Sequence, residues 1–383
     1  MSTNKRIFYA CQGVAITNMG DDSTGLTTAA MVHGLQSVGM TTNFNLEQAF
    51  ELGQLEIYEN IEGTPDVEVT MEKVLDGYPL IYHLATTGVG DGSKLLANRS
   101  KQRADLRLGI FDEGANNIAT ASGDATHTGN AEVEVYCSGM YVSSVSYSLP
   151  TDGNSTESVT LVGNEKQWLT GSDVKIADAD VTEFDGSDSP AASGNGGIQR
   201  REDVDLSVCI LPVGIKGVNG SSAGNGWNSS TNEPRVHLQS VTISTDFSRE
   251  EVLELGRRNP YYRPANFPIE VTCEIEAITT SGDFIGAYEL GDPDLYSNPV
   301  NSGNNTGEET IYFQTKAGYG FDLGTKNRVS SVSYGGGDAG GGNATTTYSY
   351  ANFNDLDVQH SGASNSVDSK KFHFTDLGLN ANT

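Results

Sequence analysis

LQSVGMTTNFNLEQAFELG, residues 35–53, returns as LQSVTISTDFSREEVLELG at residues 238–256. The offset is a constant 203, and ten of the nineteen positions are identical. Ordinary composition gives about one identity by chance. After a one-residue gap the copies rejoin, as VEVTME (67–72) against IEVTCE (269–274). CQGVAI (11–16) and CILPVGI (209–215) stand in matching places ahead of them, and VSSVSY recurs at 142–147 and 329–334. A repeat fixes the structural unit before any fold is assigned. Here the unit is about half the chain.

Each copy carries the same local signals. The LQSV segment and the residues after it alternate as a strand. Asn45 and Ser248 then stand as helix N-caps, with Gln48 and Glu251 three residues on as capping-box partners. Phe247 and Val252 fit a hydrophobic staple, and Gly53 and Gly256 mark the end. The expectation is a helix of about two turns, too short to stand alone in water and so docked on a sheet. VEVTME and IEVTCE then alternate with period two. Val67, Val69 and Met71 point one way, with Ile269, Val271 and Cys273. Glu68, Thr70 and Glu72 point the other, with Glu270, Thr272 and Glu274.

The rest reads as mainly β. Of 383 residues, 36% are hydrophobic and 45 are glycine, a balance that suits short strands and turns. Further strands are expected at 5–16, 78–86, 106–111, 131–137, 141–147 and 157–163. Residues 1–170 form one expected domain and 201–383 a second. Between them, 171–200 reads as an acidic Gly/Ser linker or surface loop. Its carboxylates miss the spacing of a calcium-binding loop, which leaves a solvated loop or weak cation binding. A second insertion, 218–234, is rich in Gly, Ser and Asn around Trp227.

The net charge is −27. A chain this acidic does not bind DNA or anionic lipid through bulk electrostatics. No apolar run approaches the length of a membrane span, and the first sixteen residues lack a signal-peptide core. Cys11, Cys137, Cys209 and Cys273 are scattered, which suits buried thiols in a reducing compartment and no zinc framework. GVGDGSK (88–94) lacks the residue order of a phosphate loop. The six histidines show no ligand spacing, and no catalytic motif is present. The expectation is therefore a protein that is not an enzyme and needs no cofactor or metal.

The succession SVGMTTNFNLEQAFELGQLEIYENIEG, then PDVEVTMEKVLDGYPLIYHL, resembles tail tube (major tail) proteins of long-tailed bacteriophages. So do VSSVSYSLPTDGNSTESVTLVGNEKQW (142–168) and TDFSREEVLELGRRNPYYRPANFPIEVTCEIE (245–276). The resemblance covers most of 30–170 and 235–335. It implies two tandem β-sandwich or barrel domains, each with a short flanking helix. Subunits of that family self-assemble into stacked rings around a tape-measure protein, and DNA later passes through the bore. A duplicated subunit implies trimeric, pseudo-sixfold rings, with a true hexamer as the alternative. Other implied partners are baseplate and terminator proteins, and a sheath if the tail contracts. The implied location is the virion tail, assembled in the host cytoplasm, with no membrane. On this reading Glu68, Glu72, Glu270 and Glu274 line the lumen. Phe44, Phe50, Leu52, Phe247, Leu253 and Leu255 lie on helices between subunits. A duplicated receptor-binding or adhesin protein, a tail terminator and a head-decoration protein are the other readings.

Overall fold

The computed structural model describes residues 7, 12–18, 30–53, 55–78, 80–86, 96–111, 116–117, 126–127, 131–174, 176, 197–212, 215, 227–228, 233–234, 236–279, 309–337 and 342–360. In chain order the first half holds β1 (Gln12–Asn18), β2 (Ala30–Met31), β3 (Leu35–Asn43), β4 (Leu46–Phe50), β5 (Ile57–Glu62) and β6 (Asp66–Val74). Then come α1 (Ile81–Thr86), α2 (Leu96–Arg99), β7 (Ala104–Ile110), β8 (Asn116–Asn117) and β9 (Thr126–His127). β10 (Val133–Pro150), β11 (Thr156–Gly163) and β12 (Gln167–Thr170) complete it. The second half holds β13 (Trp227–Asn228), β14 (Glu233–Pro234), β15 (Leu238–Asp246), β16 (Glu270–Ile278) and β17 (Tyr312–Gln314). It ends with β18 (Tyr319–Asp322), β19 (Arg328–Gly335), β20 (Thr345–Phe353) and β21 (Asp357–His360). The expected mainly β architecture is what the chain adopts.

Eight strands form one antiparallel sheet in the order β19-β20-β16-β15-β10-β11-β6-β3. The repeat is written into this order. β3-β6-β11-β10 is one four-strand unit, and β15-β16-β20-β19 is the second, laid out in the same direction across the sheet. The units join where β10 pairs with β15, Tyr147 opposite Ile243.

Registers of the matching ladders differ by two residues. Val38 faces Met71, whereas its repeat-mate Val241 faces Ile275, two residues beyond Cys273, the mate of Met71. Both ladders slip at the same place, between Leu35 and Ser37 and between Leu238 and Ser240. A bulge between Val142 and Ser144 recurs between Val329 and Ser331. The outer ladders compare in the same way. Val145 faces Val159 and Val332 faces Tyr348. Val159 in turn faces Met71, and Tyr348 faces Ile275. Every such shift is by two residues, which keeps each side chain on its own face.

Two smaller layers cover one side of this sheet. β10 runs 18 residues and leaves the eight-strand sheet at its N-terminal end, where it pairs with β7 and β12. β7 in turn pairs with β1. A three-stranded sheet, β17-β18-β21, packs against the same interior and touches both halves, the Tyr319 hydroxyl donating to the Tyr78 carbonyl at 2.5 Å and the Asn352 amide to the Leu323 carbonyl at 3.0 Å. The interior positions fill the gap, with Val69, Met71, Val159, Leu161, Val271, Cys273, Ile275, Phe313, Tyr319 and Phe321 all fully buried. A single apolar cluster spans both halves. Tyr147 and Phe321 meet across it at 4.7 Å between ring centres. Cys137, Cys209 and Cys273 are buried free thiols, and burial pushes Cys137 up to about 11 and Cys209 up to about 12. Cys11 lies outside the described residues.

Two expectations fail. Residues 78–86 read as a strand, but Ile81–Thr86 is the helix α1. The buried Glu157 carboxylate accepts the amides of Ile81 (2.7 Å) and Tyr82 (3.1 Å) and so satisfies its first turn. The two-turn helices expected after Asn45 and Ser248 are also absent. In the first copy β4 and β5 form a hairpin, with Gln48 opposite Asn60. In the second, Val252 and Tyr262 bridge as the base of a shorter hairpin. Asn45 (φ 47°) and Ser248 (φ 44°) turn the chain in the left-handed region instead of capping a helix. Gly53 (φ 94°) and Gly256 (φ 88°) make the hairpin tips, a conformation that costs glycine little.

The 88–94 run, most of the 171–200 and 218–234 segments, and everything after 360 lie outside the described residues.

Candidate functional site

Strand alternation gives the eight-strand sheet one apolar and one polar side. On β6, Val67, Val69 and Met71 are buried while Glu68, Thr70 and Glu72 are exposed. β16 repeats this, with Glu270 and Glu274 exposed between buried Val271, Cys273 and Ile275. Glu72 stands between Ser37 and Ser158, and Glu274 between Thr242 and Ser349. At the junction of the units, Ser146 stands between Ser158 and Ser244. The hydroxyls of Ser244 and Thr272 bond at 2.7 Å. The result is a face dominated by Ser, Thr and Glu, with Val162 opposite Glu68 and the exposed Phe353 opposite Glu270. Arg328, at the outer strand, is the one basic side chain on this face within the eight strands. All four glutamates expected on a common polar face are there.

Among the described residues, the two ends of the eight-strand sheet are open: β3 pairs only with β6 and β19 only with β20. Each is the repeat-mate of a strand that does have a second neighbour, and burial records the difference. Tyr147 on β10 is 1% exposed, and its mate Tyr334 on β19 is 62% exposed. Val241 and Ile243 on β15 are buried, while their mates Val38 and Met40 on β3 are only partly so.

The hairpins project from the sheet as two arms. On the first, Leu46, Phe50, Leu52, Leu55, Tyr58 and Ile61 are exposed, and on the second Leu253, Leu255 and Tyr261. Leu52 and Leu255, at matching tips, are fully exposed. The base of the second arm is fixed to the first unit. Arg263 bonds Asp66 and Glu251 together and reaches Asn164 at 3.1 Å. Arg249 donates to the carbonyls of Val142 (2.9 Å), Ser100 (2.7 Å) and Arg263 (3.0 Å). Its burial lowers the guanidinium to about 10. Arg258 crosses to the base of the first arm, donating to the Gly63 carbonyl at 3.1 Å, and the Thr64 hydroxyl donates back to the Arg258 carbonyl at 2.6 Å.

The six residues expected on inter-subunit helices stand on or beside these arms instead. Phe44, Phe50, Leu52, Leu253 and Leu255 are exposed, whereas Phe247 is fully buried. Phe44 and Phe247 nonetheless hold equivalent backbone places, each between a repeat strand and a left-handed residue. Unpaired strand edges are expected from the repeat, but the sequence reading did not place them at Tyr334 and Val332 on β19 and Val38 and Met40 on β3. No local signal separates them from their buried mates, because the difference lies in which strand has a neighbour.

Among the described residues no three His, Cys, Asp or Glu side chains are grouped to hold a metal. Among them, no helix is long and apolar enough to cross a membrane. No protein-family model matches the chain, and neither does any curated protein. Among solved structures, the chain is similar to the tube-terminating cap of the anti-feeding prophage, at 15% identity. That match covers 45% of this chain and 95% of the cap, with a TM-score of 0.30.

Proposed function

We propose that this chain is a structural, non-enzymatic subunit of a phage-type tail tube. It assembles into rings that stack into a hollow conduit for DNA in the virion tail. The observation that carries the reading is the polar face of the eight-strand sheet, acidic and hydroxyl-rich across both repeat units. DNA must slide through a bore without sticking. Basic side chains there would gain affinity by releasing counterions from each phosphate, while carboxylates repel the backbone. Glu68, Glu72, Glu270 and Glu274 are therefore assigned to the lumen, and the covering layers to the outside.

Ring size follows from the duplication. Three chains bring six repeat units and, at eight strands each, a cylinder of 24 strands. At ~4.8 Å per strand its wall is roughly 115 Å around, about 37 Å across between backbones before tilt widens it. Barrels of 16–18 strands already leave an aqueous channel. The exposed arms are the surfaces for stacking one ring on the next. A tape-measure protein, baseplate, terminator and any sheath are the partners this role calls for.

Negative-stain microscopy of the purified chain tests the reading. Long hollow tubes or rings are expected. Monomers at all concentrations and salts would contradict it and favour a receptor-binding or decoration role.

A further inference from the structure

The junction between the two units of one chain is a template for the junction between chains. We infer that β19 of one chain pairs antiparallel with β3 of the next, in the register that β10 and β15 already display. The inference rests on the ring-forming reading above and adds which edges meet and residue by residue how.

The repeat offsets give the register. VSSVSY places β19 187 residues after β10, and LQSV places β3 203 residues before β15. Within the chain, Ser144 faces Asp246, Val145 faces Thr245, Ser146 faces Ser244 and Tyr147 faces Ile243. Between chains, Ser331 then faces Asn43, Val332 faces Thr42, Ser333 faces Thr41 and Tyr334 faces Met40. The amide of Phe247 donates to the carbonyl of Ser143 at 2.8 Å. Its counterpart is the amide of Phe44 donating to Ser330 of the neighbouring chain.

Burial supplies an independent reason. Phe247, seated against the first unit, is 0% exposed, while Phe44 at the open edge is 56% exposed. The same contrast holds for Tyr147 and Tyr334. Phe44 and Tyr334, exposed beside β3 and on β19, are the mates of side chains that are buried at the internal junction. Docking one edge on the other removes both from water together. It also closes two strand edges that would otherwise pair without control. The arms agree in direction. Arg258 on the second arm reaches the base of the first. Its mate Leu55, fully exposed, is carried by the same relation towards the neighbour's Ala265 and Asn266, the mates of Gly63 and Thr64.

Cysteine pairs in the full-length chain test the register. Thr41 and Ser333 both lie on the polar face. Residues directly opposite hold their Cβ atoms ~4.5–5.5 Å apart, and diagonal neighbours ~7–8 Å, too far for a disulfide. Thr41→Cys with Ser333→Cys is compared with Gly39→Cys with Ser333→Cys and Asn43→Cys with Ser333→Cys. The last two represent a slip of two, the kind of shift that separates the two units' own ladders. Each variant is assembled, checked for rings by microscopy, oxidised and run without reductant. The expected result is linked oligomers at least tenfold more abundant for the first pair. Rings in which 39 or 43 links better, or in which no pair links, overturn the register and leave the tube reading standing. Failure of every variant and of the parent chain to form rings overturns both.

Discussion

Phe44 and Phe247 follow the same strand and precede the same left-handed turn, yet one is exposed and the other fully buried. What differs is the neighbour. Phe247→Ala removes a core aromatic and should cost about 3–5 kcal/mol of unfolding free energy in denaturant titrations. Phe44→Ala should leave the unassembled chain within ~0.5 kcal/mol of the parent, because it empties no core. It should raise the concentration needed for ring assembly at least tenfold, read by sedimentation. A second residue sets a pH response. Glu157 is buried, and desolvation is the main cause that lifts its carboxyl from 4.5 to about 7, against the attraction of Lys73. An acid whose folded pKa lies above its unfolded value binds its proton more tightly when folded. Its contribution is therefore full below about 4.5 and is lost as pH rises to about 7. The loss is on the order of 3 kcal/mol. Glu157→Gln should remove this slope, so that variant and parent differ in stability by a pH-dependent amount across that window. A constant difference would contradict the assignment.

At the level of elements, period-two alternation is legible in the sequence, because burial on one side of a sheet imposes it directly. VEVTME and IEVTCE face the way their letters say, and the thiol of Cys273 is inside as its place in the pattern requires. The failures have physical causes. LEQAFELG carries helix-capping letters, but Asn45 and Ser248 spend their turn conformation on reversing the chain, and the apolar side chains of the arms stay in water. A helix expected to dock found no sheet to dock on. α1 reads as a strand because its N-terminal amides are met by Glu157, some 75 residues away in sequence. Which strands are left open is invisible for a similar reason, since a strand's partner is not encoded in the strand. The arms make their own prediction. Leu52→Ser and Leu255→Ser should change the melting temperature of the unassembled chain little, as both are fully exposed. Both should shorten the tubes seen by microscopy, because each tip loses an apolar contact between rings.

At the scale of the whole molecule, the two units merge into one eight-strand sheet over a shared apolar cluster, so among the described residues this sheet presents one polar face and two end strands, β3 and β19. Strong acidity then has a location as well as a total. Replacing Glu68, Glu72, Glu270 and Glu274 together by lysine should preserve the fold, since all four are exposed. It should create DNA binding that weakens steeply with salt, measured by fluorescence anisotropy at two ionic strengths, where the parent chain shows none. Binding by the parent at low salt would argue against a slippery bore.

Whether this polar face lines a closed tube can be seen outright in a cryo-EM map of the assembled protein. The expected map is a hollow cylinder of three chains per ring, with Glu68, Glu72, Glu270 and Glu274 pointing into the bore and β19 seated on the neighbour's β3. A tube whose bore is lined by the β1–β7 or β17–β18–β21 layers, with those glutamates on the outside, would contradict it.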